Sequence, residues 1–144
     1  MNTTVPLAID VRLDGSYEEA LERVADALKE QGFGILTRID VKETLKTKLD
    51  VDFRDYAILG ACNPKLAHRA LSARPEIGLM LPCNVTVEAT GGGGVLVRIA
   101  DPRVMMGVGG FENDPEIAAV ASEARALLAQ AAVQLSTSSS TREG

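Results

Sequence analysis

The reactive side chains of this sequence are concentrated in two Cys-Asn dipeptides and one histidine. Cys62 is followed by Asn63, Cys83 is followed by Asn84, and His68 is the single histidine of the chain. Thiolates and imidazoles act as nucleophiles and metal ligands, and amides orient ligands by hydrogen bonding. We call these five residues the candidate cluster and predict that they form a ligand-binding site.

Cys62 directly precedes a predicted helix start. Asn63-Pro64 places a polar cap before a proline at the first helical position, which is a strong start signal. A thiol beside a helix N-terminus has a lowered pKa because the exposed amides and the helix dipole favour the thiolate. His68 follows Pro64 by about one helical turn, and we expect it on the same side as Cys62.

Other interpretations of the candidate cluster stay open at this stage. Cysteines are often inert apolar fillers, in which case Asn63 is only a cap and Asn84 marks a strand irregularity. A metal site would use Cys62, Cys83 and His68, but zinc usually takes four ligands, so a dimer would have to supply more. A thiol redox or covalent site would lack the Cys-x-x-Cys spacing of dithiol motifs.

The remaining motifs point to no further chemistry. Gly107-Val108-Gly109-Gly110 lacks the final glycine of a dinucleotide fingerprint, and no Gly-Lys-Ser/Thr ending is present. A Ser-His-Asp triad has no support, because no serine has the context of a nucleophile. Met105-Met106 is expected to fill the core, with a pocket lining as the alternative. No cofactor can be named from the sequence.

Composition limits the class of protein and of partner. The chain has 144 residues, one domain by length, and a net charge of −5 with no tryptophan, which argues against nucleic-acid binding. The N-terminal residues lack the features of a secretory signal, and no run approaches the ~20 apolar residues that span a bilayer. With two cysteines and no export signal, we expect a cytoplasmic protein without membrane contact.

Hydrophobic periodicity predicts the elements that position the candidate cluster. A strand is expected from Pro6 to Leu13, and Ser16 and Glu19 have the spacing of a capping box that starts a helix ending near Gly32. A strand follows over Phe33–Ile39, and then a short helix over 41–49 with Val41, Leu45 and Leu49 on one face. The next strand is predicted over Tyr56–Ala61 and the next helix over 64–74.

The second half is predicted to contain two strands and a long helix. Gly78 to Thr90 is expected to be one long strand, and Pro82 suggests that this strand is at an edge, bulged or bent. Gly91 to Gly94 is expected to be a hairpin connection to a strand over Val95–Ala100. A helix runs from about Pro115 to Leu135, and residues 136–144 are expected to form a flexible C-terminal tail.

The order of elements indicates one α+β domain over residues 1–135. The closing hairpin requires antiparallel pairing and excludes a purely parallel sheet. We therefore predict a mainly antiparallel sheet of about five strands with two principal helices on one face.

The segment Leu59–Val85, LGACNPKLAHRALSARPEIGLMLPCNV, and the residues before it, from Gly32, resemble the bacterial domain-of-unknown-function family 302 (DUF302). The resemblance extends through Asp101-Pro102 and Met105 into the last helix. It implies a curved antiparallel sheet of the TATA-box-binding-protein type and a homodimer. The resemblance does not by itself imply DNA binding, since a fold does not determine a function.

The function that we predict is a homodimeric module that binds a small ligand beside the candidate cluster. The alternative is a thiol- or metal-dependent enzyme or sensor that uses Cys62, Cys83 and His68. This alternative requires the two sulfur atoms to lie close together. A third interpretation is an interaction protein whose dimer surface is the functional element.

Overall fold

The computed structural model describes residues 6–143, with side chains described for residues 6–137. Its strands and α-helices, in chain order, are β1 (Ala8–Leu13), α1 (Tyr17–Glu30), β2 (Gly34–Asp40), α2 (Val41–Leu49), β3 (Tyr56–Cys62), α3 (Pro64–Ala73), β4 (Cys83–Ala89), β5 (Val95–Ala100), α4 (Pro102–Met105) and α5 (Pro115–Glu143). Two 3₁₀ helices, Pro75–Met80 and Val108–Asn113, flank the β4–β5 hairpin and α4.

The five strands form one antiparallel sheet in the order β1-β5-β4-β3-β2. Helix α5 packs on β1, α1 and α3, and α1 also contacts β4 and β2. Alternate side chains of the inner strands, such as Val85, Val87 and Val97, are fully buried in the core between the sheet and these helices. The predicted α+β class with an antiparallel five-stranded sheet is confirmed.

Short-range signals determine where the helices begin and end. Ser16 and Glu19 form the predicted capping box at the start of α1. Gly32 has a φ of +87° just after α1, a conformation that favours glycine. Asn63 caps α3, and Pro64 occupies its first turn. These predictions are confirmed because each depends only on neighbouring residues.

The predicted long strand from Gly78 to Thr90 is wrong in its first half. Residues Pro75–Met80 form a 3₁₀ helix, a cis peptide bond joins Leu81 to Pro82, and β4 begins only at Cys83. The edge position suggested by Pro82 is also wrong, since β4 lies between β3 and β5. Pro82 precedes the strand, so its missing amide removes no bond from the ladder.

The predicted short helix is present as α2, and none of its residues is buried. Two further elements differ from the prediction. The segment after β5 contains α4 and a 3₁₀ helix where no helix was predicted. Helix α5 continues to Glu143, beyond the predicted end at Leu135. The side chains from residue 138 onward lie outside the described residues, and the flexible tail at 136–144 stays a prediction.

Among the described residues, no helix combines the length and the apolar composition that crossing a bilayer would need.

Candidate functional site

The pairing of β3 with β4 brings the two cysteines to neighbouring strand ends. Cys83, the first residue of β4, is the partner of Ala61, and Cys62 is the last residue of β3. Both thiols are free and half-buried. The two cysteines, which are far apart in sequence, therefore lie at the same end of the sheet.

Both cysteines line a small space that we call the sheet–helix cavity, of about 40 Å³. Its walls come from the ends of β3 and β4, from α3 and α5, and from the start and end of α4. Apart from Asn63 and the two thiols, the lining residues are apolar: Phe33, Ala61, Leu66, Ala67, Ala70, Leu81, Pro82, Pro102, Met106, Val120, Ala121 and Ala124.

A second space, which we call the methionine cleft, adjoins the first and has a volume of about 210 Å³. The two spaces share the residues Leu81, Pro82, Cys83, Pro102 and Met106. The remaining lining residues of the cleft are Leu79, Met80, Asn84, Ala100 and Met105. Cys83 and Met106 thus lie between a small apolar cavity and a larger cleft.

The two asparagines of the candidate cluster have different environments. Asn63 Oδ1 accepts a hydrogen bond from the Leu66 backbone N–H at 3.3 Å, so this side chain caps α3 while it lines the sheet–helix cavity. Asn84 is exposed and lines the methionine cleft. Asn63 is therefore held by its capping role, and Asn84 is the amide available to a molecule in the cleft.

His68 is not brought to the cysteines. It is exposed and lines neither the sheet–helix cavity nor the methionine cleft. The buried residues of α3 are Leu66 and Ala70, and His68 is two residues from each, or roughly 200° around the helix. The expectation that His68 shares a side with Cys62 is not met, because the packed face of α3 is the opposite one.

The described residues contain no group of three or more His, Cys, Asp and Glu side chains arranged to hold a metal ion. The three-ligand set of Cys62, Cys83 and His68 considered for a metal site is therefore not assembled. Any metal bound near the cysteines would need ligands of another type.

Burial raises the pKa of the Cys83 thiol to about 11, and the neighbouring Cys62 adds to the rise. Removal of the thiol from water penalises the charged thiolate more than the neutral form. Cys83 is consequently a neutral thiol at pH 7 and a poor nucleophile.

Methionines contribute to the site more than the sequence indicated. Met106 is 4% exposed and lines both spaces, which agrees with a core-filling role and with the pocket alternative at once. Met105 lines the cleft, and so does Met80, which sequence reasoning missed. The signal that could have found Met80 is its position in the same apolar run as Pro82 and Cys83.

Asp101 positions the short helix that carries the two adjacent methionines. Its side chain is buried, accepts a hydrogen bond from the Arg103 backbone N–H at 2.9 Å, and caps α4. Arg125 of α5 donates to the same carboxylate at 3.3 Å. This pair fixes α4, and with it Met105 and Met106, relative to α5.

A second polar group, also missed from the sequence, lies at Glu88 of β4. Its carboxylate is 6% exposed and accepts hydrogen bonds from Arg54 Nε at 2.6 Å and from Arg98. Burial alone would raise the pKa of Glu88, but the two arginines outweigh it and lower that pKa. Both oxygens of the Glu88 carboxylate are paired with an arginine, which is typical of a structural ion pair.

Comparisons with known proteins agree with this architecture. The family model described as "Domain of unknown function DUF302" matches residues 9–135. A solved structure described as an uncharacterized conserved DUF302 protein from Bacillus stearothermophilus is similar, with a TM-score of 0.80 and 29% sequence identity. The alignment covers 91% of this chain and 99% of that chain. A search of curated proteins found no match.

Proposed function

Since the chain belongs to the DUF302 family, a domain of unknown function, we propose its role from the site itself: a module that binds a small apolar ligand in the methionine cleft. The observation that carries this proposal is the joining of the cleft to the sheet–helix cavity through five shared residues. A ligand in the cleft would contact Cys83 and Met106 directly.

The size and lining of the cleft support a small organic ligand. At about 210 Å³ it is larger than an engineered apolar cavity of about 150 Å³ that binds benzene. Methionine side chains adapt to irregular apolar ligands because they are unbranched and polarizable. Asn84 supplies one polar amide side chain among lining residues that are otherwise aliphatic or sulfur-bearing, and a ligand pocket usually combines apolar side chains with a few polar groups.

Nuclear magnetic resonance titration with benzene, indole and decanol tests the proposal. We expect backbone amide shifts around Met80, Asn84 and Met105, and loss of these shifts in Ala100→Phe, which fills the cleft from β5. Ala73→Phe is the matched control, because Ala73 is an exposed residue of α3 that lines neither space. If none of the three probes shifts these amides, or if both variants respond alike, the proposal is wrong.

We also propose that the protein forms a homodimer through β2. This strand is an edge of the sheet, and its backbone has one side without a strand partner among the described residues. Leu36 and Ile39 on β2 are 66% and 49% exposed. An exposed edge with apolar side chains is a template for a further strand, and a second β2 would pair antiparallel about a two-fold axis.

Sedimentation equilibrium tests the dimer. We expect a dimer for the parent protein and a monomer for the double variant Leu36→Lys, Ile39→Lys. The control is Leu7→Lys, a 63% exposed leucine beside β1 at the opposite end of the sheet. A monomeric parent protein, or a dimer that survives the double variant, contradicts the proposal.

The alternative function, a thiol- or metal-dependent enzyme or sensor, retains two of its three residues. Cys62 and Cys83 line the same cavity, whereas His68 does not. Such a role would use sulfur chemistry alone. For either function we propose a cytoplasmic location, where free thiols stay reduced.

A further inference from the structure

The methionines of the chain are gathered at one site. The sequence contains four methionines, and Met1 is outside the described residues. The other three, Met80, Met105 and Met106, all line the methionine cleft. Met80 is the last residue of the 3₁₀ helix before β4, whereas Met105 ends α4 and Met106 follows it. The tertiary structure therefore brings thioethers from two separate segments to the same cleft.

The three methionines lie at different depths. Met80 and Met105 are half-buried, whereas Met106 belongs to the core and also lines the sheet–helix cavity. The cleft, at about 210 Å³, is far larger than the space of about 10–15 Å³ that one water needs, so a solute of similar size can enter it. Met80 and Met105 are thus within reach of a small polar molecule, and Met106 is shielded.

A thioether differs from an alkyl side chain in one chemical property. Leucine fills a similar volume, but only methionine is converted by peroxides into a sulfoxide, which is polar and can be reduced again by methionine sulfoxide reductases. We infer that Met80 and Met105 form an oxidation site through which hydroperoxides weaken ligand binding in the methionine cleft. The inference deepens the proposed function and rests on it.

The oxidation step balances with hydrogen peroxide as the oxidant. A lone pair of the methionine sulfur attacks one peroxide oxygen, the O–O bond breaks and a sulfur–oxygen bond forms. The departing hydroxide takes the proton of the transferred hydroxyl group and leaves as water, so the sulfide is oxidised and the peroxide is reduced. The Cys83 thiol in the same cleft competes poorly, because burial raises its pKa and the neutral thiol is the less reactive form.

A sulfoxide oxygen on Met80 or Met105 opposes the binding of an apolar ligand. The lining residues of the cleft offer one amide side chain, Asn84, and are otherwise aliphatic or sulfur-bearing. A bound apolar ligand would remove the sulfoxide oxygen from water, and a buried polar group without a hydrogen-bond partner is destabilising. We therefore expect oxidation to weaken ligand binding on the order of tenfold.

Peroxide treatment of the full chain, followed by nuclear magnetic resonance titration with benzene, indole and decanol, tests the inference. Tandem mass spectrometry of proteolytic peptides assigns the added oxygen to individual residues. We expect Met80 and Met105 to be oxidised before Met106, and the affinity for the probes to fall about tenfold. Methionine sulfoxide reductases should restore that affinity. A probe bound during the treatment should slow the oxidation, because it covers both side chains.

Matched variants separate oxidation at these two positions from damage elsewhere. The double variant Met80→Leu, Met105→Leu conserves side-chain volume, so we expect it to bind the probes as the parent does and to retain that affinity after peroxide treatment. Met106→Leu keeps both oxidisable residues, and its affinity for the probes should still fall. The far-ultraviolet circular dichroism of the oxidised parent protein should equal that of the untreated protein.

Several outcomes would overturn the inference. Undiminished probe binding by the oxidised parent protein would do so, as would an equal loss of affinity in the double variant or loss of the fold on oxidation. Oxidation of Met106 as fast as that of Met80 and Met105 would also contradict it. Probe binding that peroxide leaves unchanged keeps the proposed function and removes the oxidation site, whereas an untreated protein that binds none of the probes removes both.

Discussion

Cys83 is a half-buried thiol that stays protonated at neutral pH. Its pKa of about 11 follows first from burial and second from the neighbouring Cys62. In Cys62→Ser, we expect iodoacetamide to modify the folded protein slowly at pH 8 and faster as the pH approaches 11. Mass spectrometry of the alkylated protein measures the rate.

The control for this prediction is the same variant in urea. The unfolded chain exposes Cys83 to water, so its alkylation should follow an ordinary cysteine pKa of about 8.5. A native labelling profile that matches the unfolded one would contradict the assignment of Cys83 as a buried thiol.

The raised pKa of Cys83 also gives a stability that depends on pH. The unfolded chain releases the thiol proton at lower pH than the folded chain, so rising pH favours unfolding. The full stability is present below the unfolded pKa, about 8.5, and is lost as the pH rises towards the folded value of about 11. Urea denaturation at pH 8 and 10 should show a smaller decrease in Cys83→Ala than in the parent protein.

Substitution of Glu88 tests how much its ion pairs with Arg54 and Arg98 stabilise the fold. Glu88→Gln keeps the shape but removes the charge that Arg54 and Arg98 bind, and we expect a loss of about 1–2 kcal/mol in unfolding free energy at pH 7. The estimate is kept low because Arg54 and Arg98 are 52% and 39% exposed and are screened by water. Urea denaturation at pH 7 measures this loss.

The pH dependence of that difference has a defined sign. The pKa of Glu88 is lowered by folding, so its contribution is present above the unfolded value of 4.5 and is lost as the pH falls through the folded value. The unfolding free energies of the parent and of Glu88→Gln should therefore converge in acid.

The control is Glu76→Gln, at an exposed pair with Arg74, which should leave the unfolding free energy unchanged at pH 7. Equal effects of the two variants would contradict this view of Glu88.

At the scale of elements, β2, β3 and the residues before β4 pack closely around Gly60. Gly60 on β3 faces Thr37 of β2 and Pro82, and a methyl group added to Gly60 would meet Thr37 Oγ1 and lie 2.8 Å from Pro82 Cγ. Only glycine leaves room for these two side chains. Glycine at position 60 therefore allows Pro82 to pack against β3, and this contact helps to position Cys83 at the start of β4.

Gly60→Ala should lower the unfolding free energy by about 1–3 kcal/mol, the usual cost of overpacking. Urea denaturation measures the loss. Thr37→Ala removes the nearest atom, so the double variant Gly60→Ala, Thr37→Ala should recover part of it. Gly34→Ala is the control, since nothing lies within 4 Å of a methyl group at that position. An unchanged unfolding free energy in Gly60→Ala would contradict this prediction, because it would show that β2, β3 and the residues before β4 can move apart to admit a methyl group.

The elements show which parts of the fold could be predicted from the sequence. The capping box at Ser16, the cap at Asn63 and the strand pattern of Val95–Ala100 depend on neighbouring residues, and each was predicted with its element. The segment from Gly78 to Pro82 was not, because a short apolar run has the same composition in a strand and in a packed 3₁₀ turn. Tertiary packing of the buried Ile77 decides between them.

At the scale of the whole molecule, α5 is held to the rest of the chain up to Leu135. Leu135 is 2% exposed, and Arg23 of α1 donates a hydrogen bond to its carbonyl at 3.1 Å. Ser136 and Thr137 are exposed. The packed part of the helix thus ends where the predicted domain ends, although the helix itself continues.

A chain that ends at Thr137 should unfold with the same free energy as the full chain, because the sequence predicts a flexible tail at residues 136–144. Leu135→Ala should lose about 2–5 kcal/mol, the range for a buried leucine. Thermal and urea unfolding of the two variants provide the measurement. A marked loss on truncation would mean that the segment after Thr137 packs on the domain, contrary to the predicted flexible tail.

Four members of the candidate cluster reach the walls of two adjoining spaces, and the fifth, His68, does not. The sequence could place Cys62, Asn63 and Pro64 at a strand–helix junction, but it could not give the direction of each face of α3. That direction depends on which residues α5 covers. Met80 was also missed because it is distant in sequence from Met105, and only tertiary packing places both residues on the same cleft.

The sequence by itself determined the class of the domain, its family, most element boundaries and the identity of its reactive side chains. These follow from periodicity, capping and composition, which act over a few residues. Only the tertiary structure decided that Cys62, Cys83 and Met106 line one cavity, that His68 lies outside it, and that Glu88 is buried between two arginines. Strand register and helix packing produce those contacts, and both depend on residues distant in the chain.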